Sequence, residues 1–328
     1  MAVLKMHNSV FNFGLKINYR WFLMMLTAII PGTVVSIASG QLMWLTASFL
    51  AICGIIPYTA SHNSPKFVLL NALAVCFIAY LLHLILISSW IWFLLAIVTL
   101  AVIAGIIDNI DKELRVLSNW IVIGCMYGAV KLGRYPLTFN QVVEIMLLAS
   151  VSAALVLLLP LKHPVTNITL RFIPPTDSRF IFNFKYLLPT LLTAMIWRIF
   201  HLHEPEWVIW SALSVTYPEF ESAILKFKQR TIAGFIGVTC GLVVGSLLPV
   251  SLWITYGCFI VVCISLKMFK DYFPGYLLRS FCVVVYAANH SFEVALYRIG
   301  DVVIGGVIGI ISAYILIKIW LKLSNHNC

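Results

Sequence analysis

Eight charged side chains of this sequence lie within or beside long apolar runs, where a charge is costly unless it serves a purpose. The cationic members are Arg198, Arg230, Arg279 and Arg298, and the acidic members are Asp108, Glu144, Asp271 and Asp301. An arginine can hold a carboxylate through two parallel hydrogen bonds and keeps its charge at any physiological pH. A carboxyl group shielded from water can instead take up and release a proton. These residue types have the chemistry that binding of an organic anion and uptake of a proton would each require.

Arg230 and Arg279 are the predicted contacts for the carboxylate of such a substrate. An alternative is open for each, because an arginine near the end of a membrane helix can reach the headgroup layer and only anchor the helix. Trp207 and Trp210 are the predicted partners for an aromatic ring. Tryptophan is also typical of the membrane interface, so these two are expected to bind substrate only if they face a cavity.

Glu144 and Asp301 are the predicted proton-coupling acids. Glu144 lies further inside its apolar segment, so we expect it to be buried and able to change its protonation state. Asp301 follows Arg298 by three residues, a spacing that allows a salt bridge on a helix. This structural pairing is the alternative to a proton-coupling role for Asp301.

Other patterns that could carry chemistry match no catalytic or metal-binding signature closely. Asp108 and Asp111 form one Asp-x-x-Asp pair, the motif with which membrane prenyltransferases hold magnesium and diphosphate, but the second half offers only Asp271. Residues 201–206, His-Leu-His-Glu-Pro-Glu, have no standard zinc spacing and are predicted to form a wet turn. The eight cysteines form no Cys-x-x-Cys pair. We therefore expect no metal, no cofactor and no enzymatic activity.

The composition is that of a membrane protein. Of the 328 residues, 62% are hydrophobic and only 10% are charged, which is typical of chains with many membrane helices. The net charge of +10 could suggest nucleic acid binding. Basic loops beside an anionic bilayer surface explain the charge equally well, so no nucleic acid partner is expected.

Apolar runs predict an all-α polytopic protein with about twelve transmembrane helices. The first six lie near residues 20–38, 42–57, 67–87, 90–107, 117–132 and 141–161. The second six lie near residues 184–200, 206–218, 230–248, 250–266, 277–290 and 299–321. The predicted domains are an N-terminal membrane repeat (1–161), a connector (162–183) and a C-terminal membrane repeat (184–328).

The basic residues predict the orientation. If the N-terminus is cytoplasmic and successive helices alternate in direction, 18 of the 22 Lys and Arg residues fall on the cytoplasmic side. This asymmetry follows the positive-inside rule. It predicts a multi-pass protein of the inner membrane with both termini in the cytoplasm.

The two halves share residues in the same order. Trp44, Ser48 and Asp108 match Trp207, Ser211 and Asp271, each at an offset of 163. Because six helices is an even number, both repeats would insert in the same direction. The sequence therefore predicts two parallel six-helix repeats related by an axis along the membrane normal.

Glycines at steps of three and four predict closely packed helix faces. They are Gly234, Gly237, Gly241 and Gly245 in one segment, and Gly305 and Gly309 in another. Residues at this spacing share one face of a helix. In a membrane, such a face lets another helix approach closely.

Over residues 183–320 the sequence resembles the fusaric acid resistance and aromatic acid exporter superfamily of inner-membrane proteins. The similar features are the run Trp-x-x-Trp-Ser-Ala-Leu-Ser-Val-Thr-Tyr-Pro at 207–218, Arg230 ahead of a glycine-rich helix, and the spacing of Arg298, Asp301 and Gly305. Larger members carry a sizeable cytosolic domain between membrane halves. This chain has no room for one, so the resemblance is to a short form.

The resemblance implies an efflux transporter, or a subunit of one, that exports small aromatic or other organic carboxylic acids. It also implies coupling to the proton gradient and a periplasmic adaptor of the membrane-fusion type. Homo-oligomerisation is left open. Two alternatives remain. The first is a passive organic-anion channel, because plant malate channels are similar in their basic six-helix membrane units. The second and more distant one is an integral membrane enzyme that uses Asp108.

Overall fold

A computed structural model describes residues 16–61, 65–110, 114–135, 137–159, 178–202, 204–216, 220–290 and 292–326. These residues contain twelve α-helices, one at each segment where the sequence predicts a helix. The first six are α1 (Tyr19–Ser39), α2 (Leu45–Ser61), α3 (Pro65–Ser88), α4 (Trp90–Ile110), α5 (Arg115–Leu132) and α6 (Phe139–Leu157). The second six are α7 (Leu187–Phe200), α8 (Pro205–Val215), α9 (Phe220–Leu247), α10 (Leu252–Ser265), α11 (Tyr272–His290) and α12 (Phe292–His326).

Six of these helices are long and apolar enough to cross a membrane. The qualifying stretches are Tyr19–Ser39, Phe67–Ser88, Trp90–Ile110, Phe139–Leu157, Phe220–Leu247 and Leu296–Ser324. Three further apolar stretches are shorter, namely Leu42–Pro57, Leu252–Ser265 and Tyr272–Ala288. The predicted all-helical membrane architecture is thus confirmed, whereas passage of all twelve helices through the bilayer stays a prediction.

Three predicted helix starts are wrong. α9 begins at Phe220 rather than near 230, α11 begins at Tyr272 rather than near 277, and α12 begins at Phe292 rather than near 299. The polar residues before Arg230 extend the helix, because lysine, glutamine and arginine have good helix propensity. Arg230 and Arg279 therefore lie well inside their helices and not at the helix ends.

The predicted connector is described only at its end. Residues 162–177, including the Pro-Pro pair expected to be extended, lie outside the described residues. The following residues form a short 3-10 helix, Ser178–Phe184, that leads into α7.

Seven helix pairs of the first half recur in the second half. In the first half α3 contacts α5 and α6, α2 contacts α3 and α6, α4 contacts α5, and α1 contacts α2 and α6. In the second half α9 contacts α11 and α12, α8 contacts α9 and α12, α10 contacts α11, and α7 contacts α8 and α12. Contacts between the halves also match, because α4 packs on α7 as α10 packs on α1.

The end of each half is held by the other half. Ile17 and Phe269 form an antiparallel bridge, and the Asn18 amide donates to the Met268 carbonyl at 2.7 Å. On the other side, the Asn109 side chain donates to that of Asn183. The Asn183 carbonyl lies so close to Gly105 that no side chain would fit at that glycine. The two halves are therefore interlocked at one end of the molecule.

The glycine faces pack against neighbouring helices. A Cβ atom at Gly237 would lie 2.6 Å from the Leu277 carbonyl oxygen, and one at Gly241 would lie 2.7 Å from that of Phe281, both on α11. Gly245 also faces α11, whereas Gly234 lies opposite Val302 and Tyr276 with more space. Gly305 and Gly309 face α8, and Ser211 of α8 donates a hydrogen bond to the Val302 carbonyl at 3.1 Å.

The halves differ at α8. In the first half α2 packs tightly on α3 and α5, whereas the equivalent α8 has only 11 residues and touches α9 slightly. The space left around α8 is occupied by aromatic rings and by the buried side chains of Arg230, Arg279 and Arg298. The candidate site is built here, where α8 meets α5 of the first half.

Candidate functional site

One cavity of the described structure lies between the two halves and has a volume of about 280 Å³. Its walls come from α2, α5, α8, α10, α11 and α12, and many are aromatic, so we call it the aromatic cavity. Phe49 packs on Tyr127 with their ring centroids 4.0 Å apart, and Tyr127 meets Trp207 edge-on at 6.2 Å. Flat rings at these positions offer stacking surfaces to a planar guest.

Arg298 places a positive charge on the wall of the aromatic cavity. Its guanidinium lies over the Trp207 ring, 4.2 Å from the centroid. The side chain is only 5% exposed, and its Nε and Nη1 atoms have no hydrogen-bond partner. A cation held in a shielded place without a partner carries a desolvation cost that a bound anion would offset. The position is therefore suited to a carboxylate.

Asp301 lies one turn further along α12 and also lines this cavity. It is 5% exposed, and its Oδ2 atom has no hydrogen-bond partner. The expected Arg298–Asp301 salt bridge is wrong for this structure, because no described ion pair joins Asp301 to any cation within 4 Å. Arg298 instead turns toward the Trp207 ring, which leaves the acid and the cation as separate groups in one cavity.

A four-residue ion cluster closes one side of the aromatic cavity and joins α5 to α8. Lys131 and Arg134 each contact the Glu206 carboxylate at 2.9 Å, and both also pair with Glu204. Glu206 is only 2% exposed, so the prediction of a wet turn is wrong at this residue. Sequence alone could not pair these groups, because the two cations and the two acids are about 70 residues apart.

Glu204 stays ionised in this cluster over the whole physiological range. Burial alone would raise the pKa of Glu204, but the Lys131 ammonium and the hydrogen bond from Arg134 outweigh it and lower the pKa to about 2. The charge of Glu204 therefore stabilises the folded protein fully above pH 4.5, the ordinary pKa of a glutamate. This stabilisation is lost only as the pH falls toward 2.

Trp210 packs behind the wall of the aromatic cavity, against its lining residues Trp207 and Phe49. It stacks on Trp207 with the centroids 5.4 Å apart and the planes at 8°. It also contacts Phe49 at 5.5 Å and Trp120 at 5.6 Å, and Arg279 lies over it at 5.7 Å. Trp120 lines a second cavity on the other side. Neither Trp207 nor Trp210 is a lipid-facing belt residue, since one lines the cavity and the other is 6% exposed.

Arg230 and Arg279 lie in the protein interior beside Trp210 and do not reach the headgroup layer. Arg230 donates to the hydroxyl groups of Ser214 (2.6 Å), Tyr272 (2.8 Å) and Tyr276 (3.1 Å). Arg279 donates to the Ser265 carbonyl at 3.4 Å. Both are less than 10% exposed, so the anchoring alternative is wrong for their geometry. Their contact with substrate stays a prediction.

Glu144 is placed differently from expectation. Its side chain is exposed on α6, on the same face as the exposed Leu147 and Val151, and it lines neither cavity. The expected burial is wrong, because the helix turns its small residues Ala149, Ser152 and Ala153 inward. The proton-coupling role of Glu144 stays a prediction that has lost its structural basis.

The second cavity, of about 160 Å³, lies on the other side of Trp210, and we call it the basic cavity. Four cations line it, one from each of four chain segments: Arg115, Lys185, Lys226 and Lys267. Asp108 pairs with Lys185 and, at 3.5 Å, with Arg115. Asp108 is only 5% exposed and belongs to α4. Asp111 lies outside the described residues.

Within the part of the chain that the structure describes, no group of three or more His, Cys, Asp or Glu side chains is arranged to hold a metal ion. The charged groups at the aromatic cavity are Arg298, Asp301 and the four-residue ion cluster.

Comparison with known proteins gives one match. Residues 192–312 match the family model described as fusaric acid resistance protein-like. No curated protein and no solved structure matches the chain. The matched range runs from α7 into α12 and contains Trp207, Trp210, Arg298 and Asp301. The apolar helices and this match together indicate an integral membrane protein. The resemblance read from the sequence is therefore confirmed: residues 192–312 of this protein are similar to the fusaric acid resistance protein-like family.

Proposed function

We propose that this protein is a membrane carrier that exports small organic acids, aromatic carboxylic acids among them, through the aromatic cavity. The observation that carries the proposal is Arg298, a buried guanidinium over the Trp207 ring with no carboxylate partner among the described residues. The family match supports a transport role. A carboxylate held by Arg298 would leave its ring between Trp207, Tyr127 and Phe49, where stacking favours a planar group.

The two cavities suggest the route. Trp210 separates the aromatic cavity from the basic cavity, and it touches a wall residue of each. A substrate entering from the cytoplasm would meet the basic cavity first and would pass Trp210 beside Arg279 and Arg230. Rotation of one half against the other at the α5–α8 contact would move this aromatic barrier, as rigid-body rocking does in other carriers.

The architecture that we propose for this route is two parallel six-helix repeats, with twelve spans and both termini in the cytoplasm. The matched helix pairs and the reciprocal α4–α7 and α10–α1 contacts support it. All four cations of the basic cavity lie on the side that the charge asymmetry assigns to the cytoplasm, which supports the orientation.

We also propose that Asp301 couples transport to protons, because it is a shielded acid without an ion pair in the same cavity as Arg298. A periplasmic adaptor and an inner-membrane location are proposed on the family resemblance alone.

The experiment is efflux of a labelled aromatic acid from cells or from oriented proteoliposomes. Arg298→Ala should lower the rate about tenfold to 100-fold, since a charge-assisted hydrogen bond to the substrate is lost. Arg198→Ala is the matched control, because Arg198 lies over the Trp90 ring at 5.7 Å but is exposed and outside the aromatic cavity. Equal rates for the two variants, or no efflux of any acid by the wild type, would sink the proposal.

A passive anion channel is the second candidate function. It is favoured by the three buried arginines, Arg230, Arg279 and Arg298, of which none has a described carboxylate within 4 Å. A channel would pass anions down their own gradient and would be indifferent to a protonophore. Efflux that stops when the proton gradient is collapsed would exclude it.

A further inference from the structure

The basic cavity has a composition that transport of a single carboxylate does not require. Arg115 comes from α5, Lys185 from the segment before α7, Lys226 from α9 and Lys267 from the loop after α10. Lys185 is only 3% exposed. Lysines that merely mark the cytoplasmic face of a membrane protein extend into water, whereas these side chains converge on one enclosed space from both halves.

The described carboxylates balance only part of this charge. Asp108 is the acid that reaches the basic cavity, and both of its oxygens are engaged, one with Lys185 and one with Arg115. Lys267 has no described carboxylate within 4 Å and lies over the Trp21 ring at 5.6 Å. Burial and the neighbouring cations Lys226 and Arg279 lower the pKa of Lys267 to about 8. The space between these groups is therefore at positive potential.

Neutral hydrogen-bonding groups complete the wall. Asn119 lines the cavity and its side-chain oxygen has no hydrogen-bond partner; an amide rotated by 180° would present its NH2 group there instead. Ser214 and Thr216 also line the cavity, but their hydroxyl groups donate to the backbone carbonyls of Ser211 and Ala212, both at 2.9 Å. The cavity is little more than half the size of the aromatic cavity. It suits a compact ion that accepts many hydrogen bonds and carries more than one negative charge.

We propose that the basic cavity is a binding site for a phosphate-type oxyanion, separate from the site for the exported acid. Two negative charges on one compact group interact with all four cations at once, whereas a monocarboxylate offers one charge and two oxygens. The ligand is either free phosphate or the phosphate of a lipid headgroup that enters between the halves. This site does not depend on the exporter function, and its failure would leave that proposal intact.

Binding is tested on the purified full-length protein in detergent, by the thermal unfolding midpoint and by Trp fluorescence. Inorganic phosphate is compared with acetate at matched ionic strength and at pH 7.5. Phosphate should raise the midpoint saturably and bind at least about tenfold more tightly than acetate, because a bound ligand stabilises only the folded state. Equal effects of the two anions at equal ionic strength would overturn the site, and this comparison needs no variant.

A variant localises the site. Lys267→Gln should weaken phosphate binding about tenfold, because one of four converging charges is lost. Lys322→Gln is the control, since Lys322 is an exposed lysine at the same end of the molecule. The thermal unfolding midpoint without phosphate shows whether the variant is folded like the wild type. If it is, and its phosphate affinity is unchanged, phosphate binds elsewhere and the proposal is refuted.

A second experiment distinguishes free phosphate from the phosphate of a lipid headgroup. The protein is placed in nanodiscs of phosphatidylcholine alone or with phosphatidic acid, and labelled inorganic phosphate is titrated. Loss of Lys267-dependent phosphate binding in the phosphatidic acid discs would assign the site to a headgroup. Retained binding would assign it to free phosphate. Either result supports an oxyanion site, whereas absence of saturable binding in both discs would contradict it.

Discussion

The two cavities on either side of Trp210 treat charge in opposite ways. In the aromatic cavity, Lys131 and Arg134 are balanced by Glu204 and Glu206, and Arg298 is left as the cation without a described ion pair. In the basic cavity four cations share one described acid, Asp108. A cavity with one available charge and flat walls can recognise the shape of a guest. A cavity with surplus charge attracts anions of many shapes and discriminates mainly by charge.

The difference also concerns how each cavity is bounded. The aromatic cavity is lined by rings that hold one another, such as the 4.0 Å contact of Phe49 with Tyr127. The basic cavity is lined by long flexible side chains. We infer that selectivity for the carried acid resides in the aromatic cavity, and that the basic cavity sets the local concentration of anions on the cytoplasmic side.

The largest effect is expected when the boundary between the cavities is removed. Trp210→Ala should join them into one pathway and raise passive anion flux about 100-fold, because an apolar constriction that excludes water and ions is lost. Proteoliposome swelling in potassium benzoate with valinomycin measures this flux. Trp253→Ala is the control, as Trp253 is 72% exposed. If the Trp210→Ala variant passes anions no faster than the Trp253→Ala control, Trp210 is not the barrier and the cavities are not parts of one route.

The second effect concerns the buried acid of each cavity. Asp108→Asn should lower the free energy of unfolding by about 3–5 kcal/mol, because the buried Lys185 loses its ion pair with Asp108. Glu206→Gln should cost less, since Glu204 still pairs with both Lys131 and Arg134. Thermal unfolding in detergent measures both, and Glu293→Gln at an exposed position is the reference. If Glu206→Gln lowers the free energy of unfolding as much as Asp108→Asn or more, the cations of the two cavities depend on their acids to the same extent.

The smallest effect on rate is expected for proton coupling. Asp301→Asn should leave efflux down a substrate gradient within about threefold of the wild type and should abolish acceleration by a proton gradient, because the titratable group of the cavity is lost. Glu144→Gln should keep that acceleration, since Glu144 is exposed on α6. The reverse pattern, with coupling lost only in Glu144→Gln, would restore the sequence-based assignment and remove the proton from the aromatic cavity.

Sequence reasoning succeeded where periodicity or a short motif carries the information. All twelve helices have their counterparts, because apolar runs bounded by Pro, Gly and polar residues determine them locally. The glycine faces follow from steps of three and four residues. The helix starts at 220 and 272 were missed because their first turns are polar or aromatic, and the apolar run begins later.

The site itself depended on long-range contacts that no local pattern reveals. Arg298 is close enough to Asp301 in sequence to suggest an ion pair. In the structure, the guanidinium of Arg298 contacts the Trp207 ring of another helix instead of the Asp301 carboxylate. Lys131 and Glu206 meet only because α5 and α8 pack across the two halves. Glu144 was misjudged for the same reason: depth in an apolar segment gives the position along a helix but not the face on which the side chain lies.

The bridge between Ile17 and Phe269 bears on the order in which the molecule is made. A ribosome releases the chain from its N-terminus, so residues 16–18 are synthesised long before their partners at 268–270 exist. The Asn183 contact closes much sooner, because only 74 residues separate Asn109 from Asn183. The first half is thus inserted with one edge unsatisfied, and that edge is closed only after α10 has emerged. A quality-control protease that recognises unpaired backbone groups near residue 17 would therefore distinguish completed from incomplete chains.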